Sequence, residues 1–155
     1  MDKRQLISYC GLYCNLCAER GRIPEKAKAL VAAMEAEGYQ NWAKHLPEFK
    51  EFWAFVNRLV EGASARCCRS ETCGAHVCTI RKCAKERGLE MCDQCQEFPC
   101  KRVNGIAKGY PMLLHDAERR RKIGVDAWVE EQEKRLSTGF QYADIRCYPY
   151  GVPSE

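Results

Sequence analysis

Apolar positions recur with a helical period at both ends of the chain and thin out in its middle. From Pro24 onward, Ala27, Leu30, Val31 and Met34 keep the i, i+3, i+4, i+7 spacing of an amphipathic helix, and Gly38 supplies its stop. Pro24 suits the first helical position, where its missing N–H is no loss. A second helix is predicted over 47–61, where Phe49, Phe52, Trp53, Val56, Leu59 and Val60 form a broad apolar face ahead of Gly62. These two helices are the expected core, and their aromatic stripe reads as packing. Further on, Pro111 opens a helix over 111–122 with Met112, Leu113 and Leu114 on its buried side. Gly124 breaks it, and a last helix over 125–136 turns Val125, Trp128, Val129 and Leu136 inward. The tail from Gly139 reads as an extended segment and a turn.

The stretch from Cys67 to Cys100 follows neither period. It holds eight cysteines and one histidine. Ordering a residue costs roughly 1–2 kcal/mol of backbone entropy, which Val77, Ile80, Leu89, Met91 and Phe98 are too few to offset by burial. Covalent or coordinate cross-links must supply the difference. The expected fold class is therefore mainly α: a helical core carrying an irregular, cysteine-rich, metal-stabilised lobe over 64–101, within a single domain over 1–155.

Compartment decides between the cross-links. No apolar run follows the basic N-terminal residues of MDKRQLISYC, and no stretch approaches the ~18 apolar residues of a membrane span. The expectation is a cytoplasmic protein with no membrane association. In a reducing compartment twelve cysteines in 155 residues point to metal before disulfides. The formal net charge of +4 invites a nucleic-acid partner, but each four-thiolate zinc site carries about −2, so two sites would cancel it. The nine Lys/Arg against five Asp/Glu between Arg66 and Lys108 read first as counter-charge to metal and second as a phosphate footprint.

The ligand candidates follow from spacing. Cys10, Cys14 and Cys17 make a Cys-x3-Cys-x2-Cys run, whose Cys-x2-Cys half brings two thiolates toward one ion; a fourth ligand must come from elsewhere. Radical S-adenosylmethionine enzymes share that spacing, yet they need a large βα barrel that this chain lacks the length to build. Of the adjacent Cys67 and Cys68, one is expected to ligate and the other to point away. Cys73, His76 and Cys78 form a possible mixed site, with His76 more simply an exposed loop imidazole. Cys78 leads into a short helix over 84–87 that Gly88 stops, which would set Cys83 at a helix N-terminus where free amides favour a thiolate. Cys92, Cys95 and Cys100 give another Cys-x2-Cys turn and a third thiol. Their spacing departs from the bacterial ferredoxin run, in which proline follows the last cysteine, whereas Pro99 precedes Cys100. His45 and His115 read as surface or core-edge imidazoles, the charge run from Glu118 to Lys122 as a solvated face, and Cys147 as a lone thiol. No nucleophile–base pair, P-loop or dinucleotide fingerprint is present.

Taken together, YCGLYCNLC, CTIRKCAKERGLEMCDQCQEFPC, KIGVDAWVEEQEKR and GFQYADIR resemble a prokaryotic cysteine-rich family catalogued as domain-of-unknown-function family 3795. The resemblance implies a zinc-binding protein with no established reaction, and its matching positions are Cys10, Cys14, Cys17, Cys68, Cys78, Cys83, Cys92, Cys95 and Cys100. Those nine are the candidate ligands, for two zinc ions or, alternatively, for an iron–sulfur cluster. Fully thiolate-bound zinc has no open position to activate water, so the expected role is binding or regulation rather than catalysis. A thiol-redox protein and a nucleic-acid-binding module are the alternatives. The partner is left open, with another protein allowed for.

Overall fold

A computed structural model describes residues 2–61, 68, 69 and 78–145. The expectations for Cys67, Cys73, His76 and Cys147 fall outside the described residues. Among those described there are seven α-helices and no strand, and the one pairing of extended backbone is an antiparallel bridge between Ile7 and Tyr13. The mainly α class is what the structure has. No helix among the described residues is long and apolar enough to cross a membrane. The chain divides into two compact units, Ala18–Ala65 on one side and Met1–Cys17 with Arg66–Glu155 on the other.

The 18–65 unit holds α1 (Arg22–Ala36), α2 (Tyr39–Trp42) and α3 (Phe49–Val60). Gly38 ends α1 in the left-handed region at φ 71°, as its position implied. Pro24 lies third in the helix rather than first, still within the turn whose N–H groups have no intrahelical acceptor. Helices α1 and α3 bury Ala27, Val31 and Val56 against each other. The expectation that this pair forms the core is corrected here. Leu30 is 47% exposed and Phe52 41%, because each helix turns only a narrow stripe to its one long neighbour.

The larger buried set lies in the other unit, which holds α4 (Thr79–Glu86), α5 (Lys101–Ala107), α6 (Met112–Ile123) and α7 (Val125–Ser137). Trp128, fully buried on α7, centres a cluster of Leu6, Ile7, Tyr13, Leu16, Met91, Val129 and Tyr142. The inward positions expected of α7 are met: Val125 and Leu136 pack on the edge of this cluster. Tyr13 meets Trp128 edge to face at 6.0 Å between ring centroids, its backbone N–H donates to Tyr142 Oη at 2.9 Å, and its hydroxyl donates to Glu133 at 2.5 Å. A second cluster of Ile80, Cys92, Val103 and Leu113 joins α4, α5 and α6.

Two further expectations are corrected. Helix α4 starts at Thr79, so Cys78 takes its N-cap and Cys83 lies inside it, away from the free amides; Ile80 extends the helix backward because it has a core to enter. The run from Glu118 to Lys122 is a solvated face only in part: Glu118, Arg121 and Lys122 are exposed, but Arg120 is 3% exposed, and Arg119 and Arg121 are both engaged, with Glu131 and with the carbonyl of Asp93. A buried guanidinium needs a buried acid, and Asp93 provides it.

Candidate metal centre

All nine described cysteines belong to the larger unit, and none is in a disulfide. Four of them, Cys83, Cys92, Cys95 and Cys100, line one small cavity of about 20 Å³. Three local devices supply them. Cys83 projects from α4. Cys92 opens a 3-10 turn, Cys92–Gln94, that closes when the Cys95 N–H donates to the Cys92 carbonyl at 3.0 Å. The Gln94 side-chain oxygen accepts from the N–H groups of Glu90 and Met91 and so holds the entry to that turn. Cys100 caps α5, its carbonyl accepting from Asn104 at 2.9 Å.

Two guanidiniums attend the sulfurs. Arg87 donates to Cys95 Sγ at 3.3 Å and Arg102 to Cys83 Sγ at 3.8 Å. Arg87 is anchored on Glu97 at 2.9 Å; that acid first, and then the Cys83 and Cys95 sulfurs, hold its guanidinium above its ordinary pKa. Burial first, then the neighbouring Cys10, Cys100, Cys83 and Cys95 sulfurs, push the Cys92 thiol up to about 12. Among the described residues no three His, Cys, Asp or Glu side chains stand in metal-holding geometry.

The remaining candidates are placed differently. Cys10 and Cys78 pack on the cluster that contains Cys92, beside Cys100. Cys10 sits in a tight loop in which Ser8 and Leu12 exchange backbone and hydroxyl hydrogen bonds, with Ser8 Oγ 3.1 Å from Cys10 Sγ. Loss of hydration raises the Cys10 pKa. Cys68 Sγ accepts the N–H of Tyr9 at 3.2 Å, and the Tyr9 carbonyl accepts the N–H of Cys92 at 2.8 Å. Cys14 instead packs against the Trp128 cluster, so the structure sends Cys10 and Cys14 to different apolar clusters. Neither Cys14 nor Cys17 lines the four-cysteine cavity.

Spacing alone missed what fixes these loops. Arg120 reaches into the unit between them: Nε donates to Asp93 Oδ2 at 2.7 Å, Nη1 donates to the Gly11 carbonyl at 3.0 Å, and the guanidinium carbon lies 4.3 Å over the Trp128 ring. Asp93 is inside the Cys92–Cys95 turn, and Gly11 follows Cys10. A second cavity, between Arg4, Arg69 and Glu90, offers no comparable donor set. Its Arg4 is paired with Asp126 and its Arg69 with the carbonyls of Ile7 and Glu90.

No curated protein and no solved structure matches the chain. A family model does, over residues 6–105, a span that contains all nine described cysteines and both loops held by Arg120, and the chain belongs to that family, described as "Protein of unknown function (DUF3795)".

Proposed function

We propose that Cys83, Cys92, Cys95 and Cys100 hold a structural zinc ion, and that the protein is a metal-stabilised binding or regulatory module rather than an enzyme. The observation that carries this reading is the lining of one cavity by four cysteines from three local elements, with Arg87 and Arg102 donating to two of the sulfurs. Four thiolates on a divalent ion leave a unit of about −2, and those guanidiniums are its counter-charge. The donor set fits zinc. All-sulfur ligation suits a soft or borderline cation, and a Cys-x2-Cys turn with two further thiols supplies the four donors that a tetrahedral zinc takes. Bound there, zinc would supply folding free energy and no activated water. The other candidate ligands, Cys10, Cys14, Cys17, Cys68 and Cys78, do not line this cavity.

Reducing conditions keep such thiols available, and the proposal accordingly places the protein in the cytoplasm. The partner class it favours is another protein. The exposed large apolar side chains Ile23, Leu30, Trp42, Leu46, Phe52 and Phe55 all fall in the 18–65 unit, and exposed apolar side chains suit a protein partner better than a phosphate backbone.

Elemental analysis of anaerobically purified protein tests the metal reading. Colourless protein with zinc that Cys95→Ser reduces by one equivalent is the expected result. Brown protein containing iron and sulfide would replace zinc with a cluster, and metal-free folded protein would remove the reading altogether.

A further inference from the structure

The buried arginine of α6, Arg120, touches both cysteine-bearing loops. Its side chain is 2% exposed. One edge of the guanidinium grips the Asp93 carboxylate, its far nitrogen holds the Gly11 carbonyl, and its face covers Trp128. Gly11 is shaped for this approach: at φ 93° it lies where side chains are strained, and a Cβ there would collide with the Arg120 guanidinium. Arg121 holds the same turn from outside, donating to the Asp93 carbonyl and lying 4.9 Å over the ring of Phe98, which sits between Cys95 and Cys100. Asp93 is thus held at its side chain and at its backbone by consecutive residues of one helix. Burying a charged pair where a hydrocarbon side chain would fill the space is rarely a gain in stability. What the pair does fix is the relative position of two loops.

We propose that Arg120 is a positioning residue for the candidate centre. Through Asp93 and Gly11 it makes the Cys92–Cys95 turn and the Cys10 loop one unit, so that zinc bound at the first orders the second. The inference rests on the zinc reading above. Partners that orient ligand-bearing segments change metal affinity without touching the metal. Here the lever is a single planar fork, which lysine cannot reproduce because its ammonium is a point donor.

The test compares the full chain with Arg120→Lys and Gly11→Ala, with Arg119→Lys as control. Apparent zinc affinity is read by competition with a chromophoric chelator, and the fold is checked by circular dichroism. Arg120→Lys and Gly11→Ala should each weaken zinc by ~10–100-fold, while Arg119→Lys leaves affinity unchanged. A second readout is the rate at which iodoacetamide alkylates Cys10, followed by peptide mass spectrometry. Zinc should slow it in the parent protein, and saturating zinc should fail to slow it in Arg120→Lys. Unchanged affinity in both Arg120→Lys and Gly11→Ala, or Cys10 protection that survives at saturating zinc in Arg120→Lys, overturns this inference alone. If neither variant folds, the parent decides: a Cys10 alkylation rate indifferent to zinc overturns it. A parent that takes up no zinc overturns the metal reading and this inference together.

Discussion

Replacing Asp93 with Asn keeps the shape of the Cys92–Cys95 turn and removes only the charge that Arg120 faces. The Arg120 and Asp93 side chains are 2% and 6% exposed, so the guanidinium left behind has almost no water to turn to. Breaking a buried pair by neutralising one partner costs about 3–5 kcal/mol. Two contacts survive the change. The Gly11 carbonyl still accepts from Nη1 and the Trp128 face still lies under the cation at 4.3 Å, which sets the expected loss near the lower end, about 3 kcal/mol. Against a total stability of roughly 5–15 kcal/mol, that is a large fraction. The assay is urea unfolding at fixed free zinc, followed by fluorescence with Trp42 and Trp53 replaced by Phe, so that Trp128 alone reports among the three tryptophans. With a slope of roughly 1–3 kcal/mol per molar urea, the midpoint should fall by roughly 1–3 M. The double variant Asp93→Asn, Arg120→Met should recover part of the loss, because it leaves no buried charge. An Asp93→Asn loss under about 1 kcal/mol, or losses that simply add in the double variant, would refute the reasoning.

Other outcomes follow from the same geometry. Tyr142→Phe removes the acceptor of the Tyr13 N–H and should cost about 1–3 kcal/mol in the same assay. Stability should fall on both sides of neutrality. Arg4, Arg119, and Lys3 with Tyr13 hold the carboxyls of Asp126, Glu131 and Glu133 below the usual carboxylate range. Depressed folded values mean that their contribution is present above the unfolded pKa of about 4 and is lost as pH falls through the folded values. Burial pushes the Tyr13 and Tyr142 phenols upward, so their contribution is present below about pH 10 and is lost as pH rises beyond it. A pH–stability profile flat below pH 4 would contradict the acid half. Cys147→Ser should leave zinc content unchanged, as measured by elemental analysis.

Periodicity found the elements that pack by hydrocarbon alone. The Val125, Trp128, Val129 and Leu136 stripe of α7, the Pro111 opening of α6, and the stops at Gly38 and Gly124 all stand where spacing put them. What it overlooked has a common cause, which is that the decisive contacts join residues far apart in the chain. Tyr13 and Leu16 sit among cysteines in the motif, yet they are fully buried core, because α7 supplies a surface for them. Arg120 has the composition of a solvated run and becomes interior only because Asp93 comes to meet it. Helix α5 carries Asn104 and Gly105, poor helix formers that Val103 compensates by burial. Conversely, Leu30 has the right period and is 47% exposed among the described residues. The cysteine spacing singled out the four thiols as candidates, whereas their meeting in one cavity, the guanidiniums of Arg87 and Arg102, and the division of Cys10 and Cys14 between two clusters needed the folded chain.

Amide hydrogen exchange over Thr79–Glu86, Cys92–Gln94 and Lys101–Ala107, with zinc bound and after chelation under reducing conditions, asks whether sulfur and a cation hold this region together. Loss of protection across all three segments on chelation, with α1 and α3 of the 18–65 unit unaffected, is the result the zinc reading requires. Protection unchanged by chelation would mean that burial around Val103 and Leu113 is sufficient without an ion, and would contradict it.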